Sequence, residues 1–241
     1  MTDPAPRIAL IHATALAIAP IADAFSRQWP QAQRMNLLDD SLPGDLARDG
    51  GLTTQMVQRF VELADYASRC GCSGILFTCS AFGPAIEAAG AAVSMPVLKP
   101  NEAMLAQALN GLGTPTATRA RVPRVGLVAT FEPSIGSMAH ELAQMASVRG
   151  TRYELKSLFV PQAMQDLAQG RADLHDAKIA QASAALADCD VVMLAQFSMA
   201  SAQHQVQAQL PCSVVTSPDC AVAALKKLLA AGTANSKNKH A

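Results

Sequence analysis

Aromatic residues are scarce in this chain: seven Phe, two Tyr and one Trp make up 4% of its 241 residues. A surface that holds nucleic acid by stacking bases needs more of them. Net charge is also missing, since 19 Lys and Arg balance 19 Asp and Glu, so no long-range field gathers polyanions. A nucleic-acid partner is therefore not expected. Neither GxGxxG nor a GxxxxGK phosphate loop occurs, which argues against a nucleotide cofactor. The six cysteines form no CxxC pair and no zinc spacing with histidine, so no metal is expected and the thiols read as reduced and cytoplasmic. No apolar run reaches the ~20 residues of a membrane span. The stretch from Ile8 to Ala22 follows Asp3 and is interrupted by His12 and Pro20, so it does not read as a signal segment either.

What the chain does have is a repeat. RIALIHAT begins at Arg7 and RVGLVAT at Arg124; SGILFTCSAFG begins at Ser73 and DVVMLAQFSMA at Asp190, and both pairs are 117 residues apart. Each motif is a short apolar strand followed by small and hydroxyl residues. Half of the sequence is hydrophobic, and its alanine-rich helical segments suit close packing against sheets. At equivalent strand ends the first half carries Cys79 and the second carries Gln196.

Strands and helices alternate in both halves. In the first, strands are expected at Ile8–Ile11, Arg34–Leu38, Gly74–Phe77 and Pro96–Leu98, and helices at Ala19–Trp29, Thr53–Arg69 and Pro84–Ala92, with Leu38–Asp45 a loop. In the second, strands are expected at Val125–Val128, Tyr153–Val160 and Val191–Leu194. Helices are expected at Ser134–Val148 and Asp173–Ala187 and after Ser198. Ser217 and Pro218 read as N-cap and first residue of a last helix that stops at Gly232. The expected fold class is α/β, two pseudo-symmetric lobes, each a parallel sheet flanked by helices. Residues 1–109, completed by helix 217–232, form the first lobe and 110–216 the second; the turn-rich, basic segment Asn110–Arg124 marks the boundary and 233–241 is a disordered tail. Parallel sheets bind ligands beyond the carboxyl ends of their strands, which places the expected site between the lobes.

Cys79 sits between a strand and a helix start, where backbone N–H groups and the helix dipole are expected to lower its pKa and stabilise a thiolate. A cysteine is more often a small buried core residue, but its place in the repeat favours an acid, base or nucleophile. The other cysteines read as structural. Thr14, Ser80, Thr130, Ser134 and Ser198, with the backbone at Ala81, are expected to hold a small carboxylate by hydrogen bonds, although Ser and Thr at such places also cap helices. His12 and Glu132, just behind the first-strand ends, are the candidates for a second proton-transfer group, against structural readings as a hydrogen-bonded histidine and a solvated helix-start carboxylate. Asp39 and Asp40 read as loop caps. His140, His175 and His204 read as solvent-facing.

The duplicated lobes, the LFTCSAFG strand end, the LDDSL loop and the VGLVAT motif resemble the aspartate/glutamate racemase superfamily, which includes hydantoin racemases, maleate isomerases and arylmalonate decarboxylases. The resemblance runs from about Arg7 to Leu229. It implies two α/β lobes around a small carboxylate, no cofactor, a dimer or larger assembly, and one cysteine from each lobe on opposite faces of the α-carbon. Cys79 matches the first cysteine. Gln196 replaces the second, and an amide neither gives nor takes protons near neutral pH. The resemblance therefore implies a racemase-like isomerase working through Cys79, with Gln196 binding substrate. The alternatives are a one-cysteine decarboxylase, a cis–trans isomerase that adds covalently to an alkene, and a carboxylate-binding homologue that has lost catalysis.

Overall fold

The computed structural model describes residues 5–112 and 121–237, with the side chains of 233–237 left out of the description. Its elements follow the chain as β1 (Arg7–His12), α1 (Ile18–Gln28), β2 (Gln33–Leu38), α2 (Leu42–Asp49), α3 (Thr54–Arg69), β3 (Gly74–Phe77), α4 (Gly83–Ala92), β4 (Val97–Leu98) and α5 (Glu102–Gly111). They continue as β5 (Arg124–Ala129), α6 (Pro133–Arg149), β6 (Glu154–Phe159), α7 (Pro161–Ala168), α8 (Ala172–Ser183), β7 (Val191–Leu194), α9 (Gln203–Gln209), β8 (Ser213–Thr216) and α10 (Ser217–Lys237). The chain forms two compact units, one of residues 1–100 with 221–241 and one of residues 101–220.

Unit 1 is built on a four-stranded parallel sheet in the order β2-β1-β3-β4. The inner strands are buried on both faces, as the uninterrupted apolar runs of β1 and β3 require. Ala9, Ile11, Ile75 and Phe77 point to one face, where they pack with Phe60, Ala64 and Ala67 of α3 and Ala85, Ile86 and Ala89 of α4. Phe60 stacks on Phe77 at a ring separation of 5.2 Å. On β3, Gly74 admits α10, because a Cβ there would stand 3.0 Å from the Leu225 side chain.

Unit 2 repeats the plan with the order β6-β5-β7-β8. The 117-residue equivalence extends to strand register. Ile8 pairs with Gly74 and Ile75 with Val97 in unit 1, while Val125 pairs with Val191 and Val192 with Val214 in unit 2. Within β5, Gly126 lets β7 and the turn before it close in, since a Cβ would meet Val192 at 2.8 Å and Leu186 at 3.0 Å.

Several local expectations need correction. The segment Leu38–Asp45 is not all loop: α2 begins at Leu42, with Pro43 in its first turn and Asp45 near its positive end. Capping of α10 falls to Thr216, whose Oγ1 accepts from the Asp219 N–H, while the Ser217 hydroxyl donates to Asn101 Oδ1 at 2.8 Å. That helix passes through Gly232 and continues to Lys237, because a helix-interior glycine costs only about 1 kcal/mol relative to alanine. Of the proposed tail, 238–241 lies outside the described residues, as does 113–120 within the proposed boundary.

Candidate functional site

In unit 1 the chain leaves β3 through Thr78 and Cys79, both preceding a single 3₁₀ turn at Ser80–Phe82. Cys79 is still extended, with φ −128° and ψ 121°, so consecutive side chains point to opposite faces of the sheet. Cys79 falls on the face of Ile75 and Phe77, half-buried against a cluster that includes Ala13 and Phe82. Burial pushes its thiol pKa above the ordinary value, and a hydrogen bond from the Ala81 N–H opposes this only in part. The expected lowering of the pKa is therefore corrected. A three-residue turn supplies one N–H and little dipole, which does not compensate for the apolar surroundings.

The opposite face carries a polar chain. His12 Nδ1 lies 2.8 Å from Thr78 Oγ1 and its Nε2 lies 3.1 Å from Asn36 Oδ1. The imidazole is fully buried. Burial lowers its pKa despite the Asn36 hydrogen bond, which favours a neutral ring that donates from Nε2 to Asn36 and accepts at Nδ1 from Thr78. Both nitrogens are engaged within the unit, across the sheet from the thiol. The geometry does not support the expected proton-transfer role for His12. It ties β1, β2 and the residue preceding Cys79 together.

Other unit 1 candidates frame this strand end. Thr14 caps the turn after β1, its Oγ1 3.4 Å from the Leu16 N–H. Ser80 is half-buried and Ala81 exposed in the turn beyond Cys79. Asp39 accepts from the Ser41 hydroxyl at 2.6 Å and pairs with Arg59, which also holds Asp45 at 2.6 Å. Burial alone raises the Asp39 pKa, but Ser41 and Arg59 outweigh it and hold the carboxyl below its ordinary range.

The equivalent strand end in unit 2 has different chemistry. Gln196 Oε1 accepts from the Thr130 N–H at 2.9 Å and from the Thr130 hydroxyl at 3.2 Å. Its Nε2 donates to Ser134 Oγ, and that hydroxyl donates to the Phe131 carbonyl at 2.6 Å. Thr130 and Ser134 correspond to Ala13 and Ala17 in unit 1. The unit with the thiol has Ala13 in the cluster around it and alanine at both positions, and the unit with the amide has hydroxyls that fix the amide in one orientation. Glu132 is exposed at the start of α6, and Ser198 is half-buried in the turn that follows Gln196.

Sequence reasoning missed Thr78 and Asn36. For Thr78 the signal was present, since it is polar directly after an apolar strand and level with His12, whereas Asn36 stands opposite Leu10 on a strand that also carries Gln33 and Arg34. It also misjudged His175, which is fully buried. Its Nδ1 donates to Asp176 Oδ1 at 2.8 Å, and that oxygen also accepts from the Ser201 hydroxyl at 2.8 Å. Helix α8 lies under α7, α9 and the turn Phe197–Ala202, so this face is interior. His140 and His204 are exposed. Among the described residues, no group of three or more His, Cys, Asp or Glu is placed to hold a metal ion, and no helix is long and apolar enough to cross a membrane.

The model of the Asp/Glu/Hydantoin racemase family matches residues 13–225. The chain belongs to the Asp/Glu/hydantoin racemase family. Solved structures share the fold of this racemase family member at low identity. A glutamate racemase from Bacillus anthracis superimposes with a TM-score of 0.68 at 15% identity, covering 95% of this chain and 84% of its own. An allantoin racemase from Klebsiella pneumoniae gives 0.66 at 18%, covering 95% and 89%. A variant of arylmalonate decarboxylase in a sulfate-associated form gives 0.62 at 19%, covering 94% of each chain. No curated protein sequence matches the chain.

Proposed function

We propose that this protein is a cofactor-independent, racemase-like enzyme that moves a proton at the α-carbon of a small carboxylate, with Cys79 as the acid/base group. The observation that carries this reading is the contrast between equivalent strand ends. A half-accessible thiol stands in apolar surroundings in unit 1, while Gln196 is held by Thr130 and Ser134 in unit 2. Proton transfer by sulfur on one face of the substrate follows.

Removal of an α-proton leaves a planar enediolate, and donors aimed at its oxygens supply much of the stabilisation. The Ser80 hydroxyl, the Ala81 N–H and the Thr14 hydroxyl are the donors nearest to Cys79 in sequence that can serve this purpose in unit 1. Thr130, Ser134 and Gln196, which spend most of their capacity on one another, and Ser198 are the corresponding donors in unit 2. His12 positions the Thr78–Cys79 segment. Exposed Glu132 is the remaining candidate for proton transfer on the second face.

The raised pKa of Cys79 favours a second reading, decarboxylation. A thiol that stays protonated is a ready acid: loss of carbon dioxide leaves the electron pair on the α-carbon, the thiol delivers its proton there, and water reprotonates the sulfur. The two readings separate by experiment. Incubation in deuterated water is expected to place deuterium at the α-carbon of a saturated carboxylate if racemase-like chemistry holds. Carbon dioxide release from a malonate without such exchange selects the lyase. Exchange that persists in Cys79→Ala overturns the role of the thiol in both.

A further inference from the structure

We propose that Cys70 and Cys72 form a redox-active dithiol, a site of reversible oxidation by low-molecular-weight disulfides at the end of β3 opposite Cys79. The two cysteines flank Gly71 where α3 turns into β3, and both thiols are free. Helix α3 ends in a Schellman turn: the Cys72 N–H donates to the Ala67 carbonyl at 3.1 Å and the Gly71 N–H to the Ser68 carbonyl at 3.0 Å. Gly71 has φ +71°, a left-handed conformation that glycine adopts without strain. Coiling there keeps the Cα atoms of Cys70 and Cys72 inside the reach of about 7 Å that a disulfide allows.

Burial makes the two thiols unequal. Both pack on the same apolar cluster, Cys72 within it at 7% exposure and Cys70 half-buried at its edge. Gly71 and Tyr66, on either side of Cys70 in the turn, are exposed. Burial pushes the Cys72 thiol pKa up, the nearby Cys70 sulfur adds to this, and the Arg7 guanidinium opposes both. Arg7 is held at the turn by donating to the Cys70 carbonyl at 2.7 Å. An accessible thiol beside a shielded one suits a two-step exchange, in which the first attacks an external disulfide and the second resolves the product.

The repeat shows that packing does not call for both sulfurs. Unit 2 makes the corresponding approach to β7 with Ala187, Asp188 and Cys189. Cys189 is buried in its cluster as Cys72 is in the other, so the later position is apolar in both units. Cys70 adds a thiol where the duplicate fold uses the methyl group of Ala187.

With glutathione disulfide, the Cys70 thiolate attacks one sulfur, the S–S bond breaks and one glutathione thiolate leaves. Cys72, its proton passed to water, then attacks the Cys70 sulfur and expels the second. The two protein thiols lose two electrons and two protons, and glutathione disulfide takes up both as two molecules of glutathione. Excess glutathione reverses the steps.

The test equilibrates the full-length protein in glutathione buffers from reducing to oxidising, quenches in acid, alkylates the free thiols in denaturant and locates the bonds by fragmentation mass spectrometry. A Cys70–Cys72 disulfide is expected to accumulate as the oxidised share of the buffer rises and to disappear in dithiothreitol. In Cys72→Ser the glutathione adduct at Cys70 is expected to exceed that of the unaltered protein about tenfold, because no second thiol expels it. Cys70→Ala, which installs the unit 2 residue, is expected to melt like the unaltered protein and to leave Cys72 reduced throughout. Both thiols alkylated at every buffer ratio, a lasting glutathione adduct on Cys70 of the unaltered protein, or a bond from either thiol to Cys79 or another cysteine overturns the inference. The unaltered protein decides the matter even where Cys72→Ser does not fold.

Discussion

The two units share strand order and register, yet their equivalent strand ends are arranged in opposite ways. Cys79 lies half-buried against a cluster containing Ala13, so burial holds its proton on. Gln196 sits among hydroxyls at the positions of Ala13 and Ala17, and its amide is engaged on both sides. The difference therefore spans three residues rather than one. A duplicated fold supplies two equivalent places, and the neighbours of each decide whether it holds a half-buried thiol in apolar surroundings or an amide fixed among hydroxyls.

The most severe way to break this comparison is to remove the thiol. Cys79→Ala is expected to lower proton transfer by about three orders of magnitude, of the size that a lone acid/base group contributes, while thermal denaturation shows a folded protein. Next is the reciprocal change. Gln196→Cys alone leaves the new thiol against Thr130 and Ser134, whereas the triple change with Thr130→Ala and Ser134→Ala reproduces the alanine setting of unit 1. Exchange on the second face is expected to be about tenfold faster in the triple variant than in the single one, read by NMR of each enantiomer in deuterated water. Equal rates contradict the claim that the neighbours matter.

His12 sharpens the comparison from the stability side, because its equivalent in unit 2 is Ala129. His12→Ala is expected to cost about 2–4 kcal/mol by denaturant titration, through a cavity and the loss of the hydrogen bonds to Thr78 and Asn36. Its folded-state pKa is lowered, so the unfolded chain binds the proton more readily. Stability is then full above the ordinary histidine pKa of about 6.5 and falls as the pH drops below it. His12→Gln is expected to remove that acid-side slope. The smallest effect expected is on thiol reactivity: alkylation of Cys79 should accelerate with an inflection above the ordinary thiol range, followed by mass spectrometry in Cys70→Ser/Cys212→Ser protein. An inflection below that range contradicts a thiol controlled by burial.

The repeat itself was legible because parallel strands buried on both faces are written as short, continuous apolar runs. Val191–Leu194 and Gly74–Phe77 were readable to the residue for that reason. Helix α2 was harder to read, since Pro43, Gly44 and Asp45 are turn formers that also start helices, and only the Asp39–Arg59–Asp45 ion pairs show which role they take. Cys79 was found from its position, but the direction of its pKa was not, because it follows from burial in a cluster to which residues far away in sequence, such as Ala13 at the β1 end and Phe60 on α3, contribute. Gln196 was noticed as a replacement, and its partners Thr130 and Ser134 were named separately as substrate donors. What the one-dimensional pattern lacked was the contact that joins them. The burial of His175 was hidden in the same way, since α8 has a weakly amphipathic sequence and tertiary packing alone decides its inner face.

The account rests on proton transfer through sulfur at a single face, and the most direct measurement is the stereochemistry of α-deuterium incorporation in deuterated water. The prediction is incorporation much faster from one enantiomer than from the other, abolished in Cys79→Ala. Equal incorporation from both enantiomers, or incorporation that survives the loss of Cys79, contradicts it.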